Sequence, residues 1–201
     1  MDRLTAEDLL SLEEYARERE TFRARVLAHK RHRRLALGPN MTWCFEDRLT
    51  IRYQIQEMLR VERIFEPEGI RAELEAYNPL IPDGGNWKAT LLIEFADPAE
   101  RQRQLVRLKG VDSRCWVEVR GHAPVYAIAD EDMERENADK TSAVHFLRFE
   151  LAPEMIAALR AGAALAAGVD HEHYRHWLDP VPEPVKAALL ADLDESAGKT
   201  G

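Results

Sequence analysis

One stretch, Arg48 to Phe65, restricts the fold more than any other. Asp47 stands where a helix N-cap belongs, and Pro67 stops the run beyond its end. Laid out at roughly 100° per residue, Arg48, Arg52, Gln56, Arg60 and Arg63 form one stripe. Ile51, Ile55, Met58, Val61 and Phe65 fall on one side of it, and Leu49, Tyr53 and Ile64 on the other. A surface helix carries a single apolar stripe, so two apolar sides predict a helix enclosed by other elements. Gln54, Glu57 and Glu62 lie on or beside those sides. A buried carboxylate is costly unless it is paired or binds a metal, so Glu57 has to meet arginines or an ion.

The rest of the chain builds an α+β pattern around this helix. Thr5, with Asp8 in place of the usual glutamate of a capping box, starts a helical region over residues 6–34, bent near Arg19–Thr21. Gly38-Pro39-Asn40 turns between Arg34–Leu37 and Met41–Phe45, as in a hairpin. A short helix over 68–77 ends at Asn78-Pro79. Then follow a strand Ala89–Phe95, a helix Pro98–Lys109, a strand Arg114–Arg120 and a shorter one at Val125–Ala129. A charged segment, Asp130–Lys140, precedes the clearest strand, Ala143–Leu151. Pro153 opens a helix that Gly162 stops, and Val169 marks a last short strand. The expectation is an antiparallel or mixed sheet with helices packed on one face and a helical N-terminal layer. It forms one domain over residues 1–201, with a globular core at 4–178. Residues 179–201 read as a Pro-rich connector and terminal helix.

Composition narrows the function classes. A net charge of −8 argues against a general nucleic-acid binder, because duplex affinity comes mainly from neutralising phosphates. The local exception is the basic run Arg23, Arg25, Lys30, Arg31, Arg33 and Arg34, which reads first as a solvated helix face and second as a phosphate or RNA contact. Two cysteines without paired spacing exclude a zinc ribbon or dithiol motif. No apolar run is long enough for a membrane span, and the acidic start lacks a signal-peptide core, so a cytoplasmic protein is expected. No Gly-x-Ser-x-Gly elbow supports a hydrolase.

The chemistry-bearing residues concentrate in His171-Glu172-His173-Tyr174-Arg175-His176. Arg175 occupies the place of the second histidine of a His-Glu-x-x-His zinc motif, so a metal here needs ligands from elsewhere. Period-two alternation puts His145 on one face with Leu147 and Phe149, among core residues. Two histidines and a carboxylate with open positions suit iron or another divalent transition metal. His145, His171 and Glu57 are the metal candidates, with His176 a further one. The competing reading is a hydrogen-bonded core His145 and a solvent-facing His171–His176 stretch. Arg52 and Arg60 are candidates for holding an anionic ligand, against the alternative of salt bridges along the helix.

Three strings carry a resemblance to a known family: Arg48-Leu49-Thr50-Ile51-Arg52-Tyr53-Gln54-Ile55-Gln56-Glu57-Met58, Tyr77-Asn78-Pro79-Leu80-Ile81-Pro82-Asp83-Gly84 and Thr141-Ser142-Ala143-Val144-His145-Phe146-Leu147-Arg148-Phe149-Glu150. Over about residues 4–193 the chain resembles the bacterial domain-of-unknown-function family 3501. The resemblance carries no activity or catalytic residues with it. It implies an association with rubrerythrin-like proteins and iron–sulfur oxidoreductases through gene neighbourhood. It also implies that His171 and Tyr174 fit the family pattern better than His173. From these strands comes the expectation of a metal- or small-ligand-binding accessory of an iron-dependent redox or peroxide system, with Tyr174 as a hydrogen-bond donor to the ligand. Two other readings stand beside it. One is a non-catalytic protein docking onto an iron–sulfur oxidoreductase through the connector and terminal helix, with self-association also open. The other is a phosphate-ligand or RNA binder acting through the basic helix faces.

Overall fold

The computed structural model describes residues 2–129 and 141–194. The segment Asp130–Lys140 and the last residues of the expected terminal helix region lie outside the described residues. The class is α+β, built on two antiparallel sheets rather than one.

The N-terminal layer is helical. Thr5 N–H donates to Asp8 Oδ2 (2.8 Å), closing the expected capping box on a single 3-10 turn, Ala6–Asp8. The long helix starts later than expected, as α1 (Leu12–Lys30), because Ser11 and Glu14 form a second capping box. No bend interrupts it at Arg19–Thr21. The enclosed helix is α2 (Arg48–Glu62), capped by Asp47, whose Oδ1 accepts from Thr50 N–H at 2.9 Å. It ends when Arg63 turns left-handed at φ 55°. Then comes α3 (Pro67–Tyr77). Helix α2 stops short of the expected Phe65 and buries two sides only over its earlier turns, since Val61 and Phe65, expected on an enclosed side, are exposed. Ile51, Ile55 and Leu59 pack with Leu4, Leu74 and Ile81, while Leu49 and Tyr53 pack against Tyr15, Phe22 and Val26 of α1.

The first sheet runs β1 (Arg34–Ala36), β2 (Met41–Phe45), β3 (Asn86–Ile93), β7 (Val144–Glu150), β6 (Ile128–Ala129). The second runs β5 (Val125–Tyr126), β4 (Cys115–Val119), β8 (Leu165–His171), β9 (Tyr174–Leu178). The segment read as one short strand at Val125–Ala129 thus splits between sheets. Alternation along β2, β3, β7 and β4 directs Trp43, Phe45, Leu91, Leu147, Phe149, Val117 and Val119 into one shared core. Helices α4 (Pro98–Arg107), α5 (Pro153–Arg160) and α6 (Glu183–Leu190) add Leu105, Met155, Ile156, Leu159, Val185 and Leu189 to it.

The connector and α6 therefore do not stand apart from a core ending at residue 178. Val181 is buried and donates its N–H to Leu165 O (2.7 Å), and Trp87 Nε1 donates to Leu189 O at 2.9 Å. The isolated strand expected at Val169 is also larger. Residues 165–178 form a hairpin whose two-residue turn is Glu172-His173.

Candidate functional site

The residues expected to share one metal are distributed over three places. In the helical layer, Glu57 Oε1 accepts from Tyr15 Oη and Arg19 Nε, both at 2.7 Å. Its Oε2 accepts from Arg19 Nη2 (2.9 Å) and Arg60 Nη2 (3.3 Å). The bidentate Arg19 hydrogen bond, more than any other contact, holds the Glu57 carboxyl down at about 2. Burial, with the Glu57 contact, pushes the Tyr15 phenol up. Glu57 is an ion-paired strut between α1 and α2.

At the inner face of β7, His145 is buried and its Nε2 lies 2.9 Å from both Ser142 O and Thr141 Oγ1. A carbonyl only accepts, so Nε2 carries the hydrogen and donates. That commitment removes Nε2 as a base toward Thr141 and as a metal ligand. Nδ1 faces Asp112 Oδ2 at 3.4 Å, and this contact is the main cause lowering the Asp112 carboxyl. The carboxylate–imidazole–hydroxyl order resembles a nucleophile relay, but Thr141 is 1% exposed.

In the second sheet, His171 Nε2 donates to Lys109 O (3.1 Å) and Nδ1 accepts from His173 N–H at 3.2 Å. Both nitrogens of the buried ring are used. Tyr174 Oη donates to Leu37 O (2.6 Å) and accepts from Asn40 N–H (3.0 Å), which ties β9 to the β1–β2 turn. Burial raises its phenol. The His176 ring sits 4.6 Å from that of Tyr174. Gly38 turns beneath both at φ +74°, where a Cβ would lie 2.5 Å from the His176 ring.

The structure thus does not bring Glu57 to His145 or His171: each is held by its own neighbours. Among the described residues no three His, Cys, Asp or Glu side chains form a group able to hold a metal ion. Both cysteines are free thiols, Cys115 buried in the core and Cys44 half-buried.

The arginine stripe of α2 behaves differently from residue to residue. Arg48 pairs with Asp8, Arg60 with Glu57, and Gln56 clamps the Leu10 backbone, accepting at 2.6 Å and donating at 3.2 Å. Arg52, between these clamps, has a buried Nε with no hydrogen-bond partner among the described residues. Its guanidinium carbon lies 5.4 Å from the centre of the Phe22 ring, and that of Arg25 lies 4.9 Å from the same ring. Lys30 Nζ stands 6.0 Å from the Tyr53 ring, which meets Phe22 edge-on. Among the described residues the ion pairs of this layer, Arg19–Glu57, Arg48–Asp8, Arg60–Glu57 and His29–Asp47, leave out Arg25, Arg52 and Lys30.

One cluster is absent from the sequence-based expectations. Arg33, taken as part of a solvated basic face, is buried. It pairs with Asp192 beyond α6 and with Asp47 (3.4 Å), and donates to Phe45 O and Glu46 O, both at 3.2 Å. His29 Nε2 lies 2.5 Å from Asp47 Oδ2. Burial, opposed by Arg33, pushes the Asp192 carboxyl up to about 6. The one available sequence signal was local: Asp47 as an N-cap, with no hint of the arginine behind it.

Comparison with known proteins agrees with this architecture. No curated protein matches the chain. It is similar to a novel protein of unknown function from Burkholderia pseudomallei K96243, whose crystal structure at 1.90 Å superposes with a TM-score of 0.91. The two are 52% identical, over 96% of this chain and 100% of that one. The model of the family described as protein of unknown function (DUF3501) matches residues 3–193. The chain is a member of the DUF3501 family.

Proposed function

We propose that the protein binds a small oxyanion ligand, phosphate-bearing in the first instance, in the α1–α2 layer, with Arg52 and Arg25 as its holding groups. The observation that carries this reading is the unpaired Nε of Arg52. A buried donor without an acceptor costs about 1–3 kcal/mol. Arg52 is the one member of the expected site set with such a donor left over. Among the described residues the other buried donor without a partner, Trp43 Nε1, lies fully buried in the apolar core. Two guanidiniums over one phenyl ring repel each other, and a dianion between them offsets that repulsion while accepting from both forks. Arg25 is exposed, so the proposed site borders solvent on its side. A role as accessory to an iron-dependent redox or peroxide system, alongside an iron–sulfur oxidoreductase or a rubrerythrin-like protein, belongs to the same proposal. That part rests on the family resemblance.

The test is calorimetric titration of the full chain with inorganic phosphate and pyrophosphate, with sodium chloride at matched ionic strength as control. Saturable heat is expected in the wild type, reduced at least tenfold in Arg25→Gln and Arg52→Gln. Heat that both variants retain, or that chloride reproduces, overturns the reading.

A further inference from the structure

We propose that the protein pairs with a second copy of itself along the open edge of β9, joining two four-stranded sheets into one of eight strands. Among the described residues the sheet edges are β1, β6, β5 and β9. Proteins blunt edge strands by keeping them very short, among other devices. Three of these edges follow that rule, with three, two and two residues. Strand β9 has five, without proline, and no other described strand pairs with its outer side.

The backbone of β9 is oriented for pairing. The two-residue turn Glu172-His173 closes on the pair His171–Tyr174, so that pair is hydrogen-bonded, and alternation makes Val169–His176 hydrogen-bonded as well. The N–H and C=O groups of Arg175 and Trp177 then point away from β8, toward the open edge. An antiparallel two-fold pairing centred on His176 overlaps all five residues, and places Arg175 of each copy directly opposite Trp177 of the other.

Side chains complement one another in that register. Trp177 is 65% exposed, an unusual state for an indole in a strand. Arg175 lies on the same outer face and is held in place by Asp170 Oδ1 at 3.2 Å. Tryptophan is the best of the aromatic rings for a cation–π contact and arginine its more frequent partner, and two such pairs form around one two-fold axis. The platform extends inward from the edge. Trp116, Gly168 and Trp177 are consecutive cross-strand neighbours, and Tyr126 stands opposite Trp116 on the far side. A Cβ on Gly168 would meet Trp116 Cζ2 at 2.6 Å and Trp177 Cβ at 2.8 Å, so the Trp116 indole packs directly against the glycine. The result is an aromatic row continuous with the proposed seam, independent of the oxyanion site.

The experiment is sedimentation equilibrium of the full chain, with cross-linking to read the register. The wild type is expected to sediment as a dimer, and Trp177→Glu as a monomer with an unchanged circular dichroism spectrum. His176→Cys, which brings two thiols face to face across the axis, is expected to yield an inter-chain disulfide that the wild type, with Cys44 and Cys115 alone, does not form. A monomeric wild type overturns the proposal. So does a dimer that survives Trp177→Glu, or one whose His176→Cys variant fails to cross-link.

Discussion

Individual side chains in this protein are mostly spent on holding elements together, and their removal tests that directly. Tyr174 bridges two backbone groups of the β1–β2 turn. Tyr174→Phe leaves a buried acceptor and donor without partners, so urea denaturation is expected to show a loss of about 2 kcal/mol. Glu57 gives a pH signature. Its folded carboxyl lies at about 2 against an ordinary 4.5. A depressed value means stability that is complete above pH 4.5 and drains away as pH falls toward 2. Melting temperatures across that range should fall less steeply in Glu57→Gln than in the wild type. At this scale the sequence was half legible. Alternation in β7 correctly put His145 in the core, and the cost of a buried carboxylate called for a partner of Glu57, arginines or an ion, of which the structure shows the arginines. What spacing could not supply was the identity of the partner, since Arg19 is 38 residues away from Glu57 and Ser142 O is the neighbour that fixes the His145 tautomer.

Whole elements show why some were easy to read and one was not. Helix α2 announces its start by period and cap and strand β2 matches its expected bounds, whereas the end of α2, expected at Phe65, comes at Glu62 where Arg63 turns left-handed. Strand β8 does not. Its residues Leu165-Ala166-Ala167-Gly168-Val169 have little β propensity and are buried on both faces, so no alternation appears. The outer face is covered because Trp116 lies across Gly168, a tertiary fact. Gly168→Ala is therefore expected to displace that indole and cost about 1–3 kcal/mol, visible together as a shift in tryptophan emission and a lower urea midpoint. The same blindness affected α1, whose start was set by Ser11 and Glu14 rather than by the earlier, equally valid box at Thr5 and Asp8.

On the scale of the molecule, the Arg33–Asp47–Asp192 cluster joins the N-terminal layer, the first sheet and the C-terminal segment. Removing one partner of a buried pair is expensive, and Asp192→Ala is expected to cost about 3 kcal/mol. The Asp192 carboxyl also sets a slope opposite to that of Glu57. Its folded value of about 6 lies above the ordinary 3.8, so the native state holds a proton that the unfolded chain has released. Stability then declines as pH rises from about 4 to about 6, and melting curves of Asp192→Ala should lack that decline. Arg33 and Asp192 are also 159 residues apart along the chain. At a translation rate of roughly 5–20 residues per second, the arginine waits on the order of ten to thirty seconds for its carboxylate to be synthesised. During that interval the buried arginine has Asp47 but only half of its acidic partners, so a nascent chain arrested short of Asp192 should remain open to protease until the ribosome delivers the second acid.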